Sequence, residues 1–257
     1  MGYVFDHSDA ARYEKWAGNS INSGLIKIET GLMLEMLKPS KGESVLDIGC
    51  GSGLSTFALL EKGLDVTGID PSFHMLELAK KKFKNRVTLH RGVAEDLPFD
   101  DNSFNYCVFF TSLEFVENPL LALEEACRVT KDRIFVGFIN RYSIQAVRYI
   151  FKSVFFESVY RRAHFFSVWE VSSMLRKIVG NVPLEWKTVC HLPVTGENLL
   201  KKAENSILLQ KSPFGSFGGV TASLVPRFRT RPLEIKNISP EKAGVAAGSI
   251  PAGTIKS

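Results

Sequence analysis

The sequence contains no apolar run of the roughly 18 residues that a membrane-spanning helix needs. Its N-terminal stretch, MGYVFDHSDAARYEKW, is polar and carries acidic residues early, unlike a secretory signal. The few cysteines include no close pair, which argues against both a metal knuckle and a disulfide framework; they are Cys50, Cys107, Cys127 and Cys190. We therefore expect a cytoplasmic protein with reduced cysteines, no metal site and no stable insertion into a membrane.

Most of the chain has nearly equal numbers of positive and negative residues. The formal net charge is +5 over 257 residues, but six Lys or Arg and two Asp or Glu from Pro226 onward account for +4 of it. A nucleic-acid-binding protein usually carries its basic patch on the folded domain, so we expect no nucleic-acid partner. The C-terminal stretch is rich in small residues and has no apolar periodicity, which predicts a folded domain over 1–226 and a flexible basic tail over 227–257.

Short apolar or β-branched runs alternate with segments of helical periodicity through the first half of the chain. The predicted strands are 44–49, 65–70, 86–90, 104–111 and 132–138. The helices between them begin after Gly53, after a Ser72 N-cap, and after an Asn118 cap with Pro119 in the first helical position. Residues 91–103 show no clear helix. This alternation predicts an α/β fold in which helices cover both faces of a parallel sheet.

The pattern changes after the fifth strand. Amphipathic helices are predicted over 143–161 and 168–179, and the first of them carries an apolar face with Phe151 and Phe155. These aromatics fit either an ordinary core or the wall of a pocket, so the insertion at about 141–180 is a candidate cover for a substrate. The remaining predicted elements are a strand at 182–191, a helix at 196–211 and a strand at 216–225.

A glycine-rich loop in the stretch VLDIGCGSG, residues 45–53, follows the first strand and opens a helix. This context suits a nucleotide-type site, because glycines let a ligand approach the backbone closely. The spacing departs from the dinucleotide pattern G-x-G-x-x-G/A, since the sixth position holds Leu54 and the third glycine, Gly53, comes one residue early. No lysine follows, so the loop is not a phosphate cradle of the G-x-x-x-x-G-K type. Asp70 ends the second strand, where a carboxylate can accept both hydroxyls of a ribose.

These motifs, in this order, resemble the class I S-adenosylmethionine-dependent methyltransferases, in the group that includes the ubiquinone and menaquinone C-methyltransferases. The resemblance runs from about residue 5 to residue 225. It is carried by VLDIGCGSG, VTGIDPS, AEDLPFDDNSF, SLEFVENP and HFFSVWEVSSMLRKI. It implies a doubly wound, mostly parallel, seven-stranded sheet of the Rossmann-like methyltransferase type, with the last strand antiparallel.

The resemblance also implies a cofactor site for S-adenosylmethionine, whose methionine end carries a carboxylate, an ammonium and a sulfonium but no phosphate. Asp47 would lie beside this cationic ligand, Asp70 would hold the ribose, and the segment after the third strand would meet adenine. Many relatives have Asp where this chain has Val93, so the usual adenine acceptor is missing or displaced. The implied cofactor residues are Asp47, Gly49, Cys50, Gly51, Gly53, Asp70, Pro71, Val93, Ala94, Glu95 and Tyr13.

The residues that bind the methyl acceptor have to be considered separately from the cofactor site. Because the sulfonium already activates the methyl group, the protein contributes mainly by positioning the acceptor. Glu114, after the fourth strand, is the candidate base or acceptor-positioning group, and Asn140, Arg141 and Tyr142, after the fifth, are candidate substrate contacts. We expect methyl transfer to a small hydrophobic or aromatic molecule. Two alternatives are a non-catalytic protein that binds the cofactor or a partner, and a nucleic-acid methyltransferase, although TSLEF replaces any N-P-P-Y-type motif. The sequence gives no oligomeric state.

Overall fold

The structure is a computed structural model that describes residues 2–143, 162–191 and 210–224. Within these ranges the helices are α1 (His7–Ala17), α2 (Ser20–Leu37), α3 (Leu54–Glu61), α4 (Phe73–Phe83), α5 (Pro119–Val129) and α6 (Val168–Val179), with a 3-10 turn at Leu113–Phe115. The strands are β1 (Ser44–Ile48), β2 (Asp65–Asp70), β3 (Thr88–Arg91), β4 (Phe104–Phe110), β5 (Thr130–Ile139), β6 (Leu184–Val189) and β7 (Phe217–Ser223).

The strands form one seven-stranded sheet in the order β3-β2-β1-β4-β5-β7-β6. The first five strands run parallel to one another, and β7 runs antiparallel to both β5 and β6. The predicted doubly wound α/β fold with an antiparallel last strand is therefore confirmed. The strand order reverses between β1 and β4, and ligands of open α/β sheets bind outside the carboxyl ends of the strands at such a point.

The helix starts follow the capping residues that the sequence offers. The Ser72 side chain accepts a hydrogen bond from the Met75 amide at the start of α4, and Asn118 accepts one from Leu121 at the start of α5. α6 begins with a capping box in which Ser167 and Glu170 satisfy each other's backbone amides. These local signals fix where each helix starts above the sheet.

Helices cover both faces of the sheet, and each face has its own apolar core. On one face α5 and α6 pack against the central strands around buried Phe109, Leu123 and Val171. On the other face α2 and α3 pack around buried Met33, Leu59 and Phe135. The strands are apolar on both sides because neither face is open to water.

The structure adds two N-terminal helices that the sequence pattern did not predict. α2 contains Gly24 and Gly31, which weaken a helix in isolation, but its C-terminal half packs onto β5, β6 and β7. Tertiary burial thus overrides the low intrinsic propensity. No described helix is both long and apolar enough to cross a membrane. Outside the described residues lie all but the first residue of the predicted helix at 143–161, nearly all of the one at 196–211, and the tail at 227–257.

Candidate active site at the carboxyl ends of the strands

The glycine loop between β1 and α3 takes a conformation that favours glycine at three positions. Gly49, Gly51 and Gly53 have φ angles of +70°, +53° and +91°. A Cβ built on Gly49 would lie 2.4 Å from the Cβ of Ser112, and one on Gly53 would lie 2.1 Å from a ring carbon of Phe83. A Cβ on Gly51 would meet nothing within 4 Å. Gly49 and Gly53 are therefore required for packing, whereas Gly51 borders open space.

Asp70, at the end of β2, holds this loop in place. One carboxylate oxygen accepts the Gly51 amide at 2.9 Å, and the other accepts the Ser72 amide at 2.8 Å. Burial raises the pKa of the Asp70 carboxyl to about 6, although both amide bonds oppose the shift. Asp70 lines the cavity described below and is only 8 % exposed, which suits hydrogen bonding to a bound hydroxyl.

Asp47, predicted to lie beside the ligand, instead lies fully buried behind the loop. Its Oδ2 accepts the hydroxyls of Ser55 at 2.7 Å and Thr56 at 2.6 Å, in the first turn of α3. Its Oδ1 has no hydrogen-bond partner in the described part of the chain, and burial raises its pKa to about 6. The side chain does not line the cavity. It joins β1 to α3 through its hydrogen bonds with the hydroxyls of Ser55 and Thr56.

The segment after β3 forms the side of the site where adenine was expected. Val93, Ala94 and Glu95 all line the cavity. The Glu95 carboxylate accepts the amides of Glu117 and Asn118 at 3.1 and 3.2 Å, which ties it to the start of α5. This position therefore offers backbone groups and one anchored carboxylate to a ligand.

The N-terminal segment packs against the turn after β4 and the start of α4. The Tyr3 amide donates to the Phe115 carbonyl at 2.9 Å, and the Ser72 hydroxyl donates to the Phe5 carbonyl at 2.6 Å. The Tyr13 ring stacks on Trp16 with centroids 5.7 Å apart, and burial raises the pKa of its hydroxyl. Tyr3, Phe5 and Tyr13 line the cavity, so α1 and the residues before it form one of its walls.

These elements enclose a cavity of about 440 Å³ at the carboxyl ends of the strands. Its walls include every predicted cofactor residue except Asp47 and Gly53. A second set of walls comes from the ends of β4, β5 and β6 and from one face of α2; it includes Leu25, Ile26, Glu29, Phe109, Phe110, Thr111, Ile139, Cys190 and His191. The volume falls in the ordinary range for small-molecule sites.

Glu114, the predicted base, does not line this cavity. It is 1 % exposed, and its Oε1 accepts the Ile139 amide at 2.7 Å. Its Oε2 has no hydrogen-bond partner among the described residues, and burial raises its pKa to about 7. This geometry ties the turn after β4 to the end of β5, so Glu114 supports the site from within the protein rather than from its wall.

The predicted substrate contacts after β5 also point elsewhere. The Asn140 amide donates to the carbonyls of Pro213 and Gly215, and the Arg141 guanidinium forms an ion pair with Glu170 at 3.1 Å. Tyr142 is 51 % exposed and packs edge-on against Trp169. None of the three lines the cavity, because each is engaged by the segments that flank β7 and α6.

Sequence reasoning missed Glu29 and His191, which both line the cavity. A signal for Glu29 was present: it occupies the apolar stripe of α2, three and four residues before the buried Leu32 and Met33. Nothing nearby in the sequence marked His191, which reaches the site because β6 runs in the same direction as β5 and ends two residues before it.

Comparisons with known proteins agree with this geometry. Residues 46–135 match the family model described as a methyltransferase domain. Over 178 residues the chain is 35% identical to an uncharacterized protein of Methanocaldococcus jannaschii, covering 68% of this chain and 80% of that protein.

Two relatives carry functional names. A demethylmenaquinone methyltransferase of Staphylococcus aureus is 44% identical over 97 residues, which cover 35% of this chain and 40% of that protein. A Thermotoga maritima structure, titled an S-adenosylmethionine-dependent methyltransferase and possible histamine N-methyltransferase, aligns with a TM-score of 0.63 at 26% identity. That alignment covers 84% of this chain and 96% of the other.

The sheet order, the glycine loop at the switch point and the relatives lead to one assignment. Gly51 borders open space and Asp70 presents a carboxylate to it, which fits a ligand with a ribose and a compact charged end. The chain belongs to the class I S-adenosylmethionine-dependent methyltransferases, with S-adenosylmethionine as its cofactor.

Proposed function

We propose that this methyltransferase acts on a small, largely apolar or aromatic molecule, which binds in the cavity beside the cofactor. The observation that carries the proposal is the composition of the walls at the ends of β4 and β5. Phe110 and Ile139 come from these strands, and Leu25 and Ile26 face them from α2. Apolar walls with few polar groups are typical of sites for small organic ligands.

The division of the cavity follows from the sheet order. The glycine loop and the ends of β2 and β3 lie on one side of β1, where Asp70 and Ala94 would hold the cofactor. The ends of β4, β5 and β6 lie on the other side and would hold the acceptor. S-adenosylmethionine supplies an activated methyl group when bound, so the acceptor-side residues contribute by positioning the acceptor in line and excluding water.

The names of the two relatives do not identify the methyl acceptor of this chain. One relative is named a demethylmenaquinone methyltransferase, whereas the Thermotoga maritima protein is titled a possible histamine N-methyltransferase. The match to the demethylmenaquinone methyltransferase spans only 40% of that protein's length. The two names agree on a small molecule, so the finer choice has to come from the cavity of this chain.

The charge of the walls argues against a nucleic-acid acceptor. Among the described residues that line the cavity there is no Lys or Arg to meet a phosphate. The ionisable acids there are Glu29, Asp70 and Glu95, which would repel a polyanion. A neutral or cationic small molecule meets no such penalty.

Methyl-labelled S-adenosylmethionine tests the proposal directly. The purified protein is incubated with cell extract, which is then separated into three pools. They are nucleic acids, an apolar pool that an organic solvent extracts at pH 11 and that includes apolar amines, and a polar pool of small molecules that stay in water. We expect label in the apolar pool, and much less label with an Asp70→Ala variant at a cofactor concentration that does not saturate it. Label in RNA or DNA, or only in polar metabolites, would contradict an apolar acceptor.

A further inference from the structure

Glu29 is an acid in an otherwise apolar part of the cavity wall. It is half-buried, and its neighbours on the same face of α2 are Leu25 and Ile26. Within the described part of the chain, its carboxylate has no hydrogen bond and no ion pair, unlike the other two acids in the wall. Asp70 accepts two backbone amides, and Glu95 accepts two more.

The packing of α2 places Glu29 on the acceptor side. A Cβ on Gly219 in β7 would lie 3.1 Å from the sulfur of Met36, and Gly219 pairs with Gly137 of β5. The Arg133 guanidinium, near the start of β5, donates to the carbonyl at the end of α2, so the helix runs antiparallel to this strand. Glu29 lies seven residues before Met36, or about 10 Å along the helix, which equals about three residues of strand. That distance brings it to the level of the carboxyl end of β5.

We propose that Glu29 binds a protonated amine of the methyl acceptor, so that the acceptor combines an apolar body with an ammonium group. This inference rests on the proposed apolar acceptor and refines its chemistry. A half-buried carboxylate without a partner has lost part of its hydration, and a charge-assisted hydrogen bond from an ammonium would offset that cost. The absence of Lys and Arg from the described wall leaves this carboxylate available for a ligand's cation.

The protonation of Glu29 supports this assignment. Burial raises its pKa to about 7, and no other cause contributes. A bound ammonium would favour the ionised form and pull the pKa down again. The ionised fraction therefore limits binding below pH 7, and amine affinity should rise about tenfold between pH 6 and pH 8.

Other titratable groups face this part of the cavity and must be separated from Glu29. Four of them line the cavity, from α1, β2 and the end of β6: Tyr13, Asp70, Cys190 and His191. Two more, Asp47 and Glu114, are buried behind its walls. A Glu29→Gln variant keeps all of them. The Glu29 charge contributes to the raised pKa values of Glu114 and Tyr13, so Glu29→Gln also changes how those two groups titrate. A Glu114→Gln variant, which keeps Glu29, is therefore measured beside it and should retain the pH dependence that belongs to Glu29.

The test is calorimetric binding of three amines and their matching alcohols to the protein saturated with S-adenosylhomocysteine. The pairs are benzylamine and benzyl alcohol, 2-phenylethylamine and 2-phenylethanol, and octylamine and octanol. We expect the wild type to prefer at least one amine to its alcohol by tenfold or more at pH 8. Glu29→Gln should abolish that preference and its pH dependence, whereas Glu35→Gln, on the exposed face of the same helix, should keep both.

Three results would overturn the proposal. The first is a wild type that prefers none of the amines, and the second is a Glu29→Gln variant that keeps the preference. The third is a Glu29→Gln variant that loses affinity for S-adenosylmethionine itself by a similar factor, which would assign the carboxylate to the cofactor. Unchanged affinity for S-adenosylhomocysteine checks that the variant is folded. A failure of the proposed function is separate, because it appears as label outside the apolar pool while amine selectivity remains.

Discussion

The Gly51 amide donates a hydrogen bond to the Asp70 carboxylate over 2.9 Å, which joins the glycine loop to the end of β2. The two residues are 19 positions apart in the chain, and both face the cavity. One carboxylate thus fixes the loop and is also presented to the ligand. Changes at either residue should affect cofactor binding before they affect the fold.

Replacing Asp70 should weaken cofactor binding strongly. We expect Asp70→Ala to reduce affinity for S-adenosylhomocysteine by about 1.5–3 kcal/mol, the scale of hydrogen bonds to a charged group. Calorimetry at pH 7.5 measures the change. Asp65→Ala, at the exposed start of the same strand, provides the matched control and should bind normally. Normal binding by Asp70→Ala would place the ribose elsewhere.

Replacing Gly51 or Gly53 by alanine should show which glycine leaves room for the cofactor and which one leaves room for a neighbouring side chain. Gly51→Ala adds a methyl group where nothing lies within 4 Å, so we expect loss of cofactor affinity by at least tenfold and a modest loss of stability from its positive φ. Gly53→Ala drives a methyl group into the Phe83 ring, so we expect a loss of about 1–3 kcal/mol in unfolding free energy. Thermal unfolding with and without S-adenosylhomocysteine distinguishes the two, and identical behaviour would contradict the assignment.

The parts of the site that could be read from the sequence are the local ones. The glycine loop and Asp70 each lie at the end of a strand with clear periodicity, so their positions followed from the motif and the fold. Motif and fold did not predict which acidic residue faces the acceptor. Glu114 follows β4 and looked suitable, but the Ile139 amide from the next strand captures it. Glu29 enters the cavity only because α2 packs across β5, β6 and β7, which are distant from it in the sequence.

Asp47 illustrates the same limit within a motif. Its position two residues before the first glycine suggested contact with a cationic ligand. The hydroxyls of Ser55 and Thr56 instead turn its carboxylate inward. A motif thus identifies which residues gather at a site, but side-chain direction depends on which partner lies within reach.

The buried Glu114 should make stability depend on pH. Its pKa is raised from an ordinary 4.5 to about 7, so the folded state holds its proton more tightly than the unfolded state does. This contribution is complete below about pH 4.5 and is lost as the pH rises through about 7. We expect Glu114→Gln to raise the unfolding free energy at pH 8 by up to about 3 kcal/mol, with a much smaller gain at pH 5.

Urea unfolding at both pH values measures this effect. Glu124→Gln, on the exposed face of α5, is the matched control and should change stability little at either pH. Cofactor affinity of Glu114→Gln should stay normal, because the side chain does not line the cavity. A destabilised Glu114→Gln at pH 8 would mean that the charge is compensated in the folded protein.

The last prediction concerns Tyr13 and the N-terminal wall. The ring lies in the cavity wall, stacked on Trp16 and edge-on to Phe5 with centroids 6.2 Å apart. Aromatic contact of this kind depends on the ring rather than on the hydroxyl. We therefore expect Tyr13→Ala to lower affinity for S-adenosylhomocysteine about tenfold, and Tyr13→Phe to stay close to the wild type.

Trypsin offers a second measurement of the same wall, because the Arg12 side chain is 61% exposed on α1. Bound S-adenosylhomocysteine should slow cleavage after this residue in the wild type, since a ligand that contacts the wall stabilises it against local opening. That protection should be largely lost in Tyr13→Ala and kept in Tyr142→Ala, which removes an exposed tyrosine outside the cavity. Equal protection in all three proteins would mean that the N-terminal wall does not contact the cofactor, and that Tyr13 serves only the packing of α1.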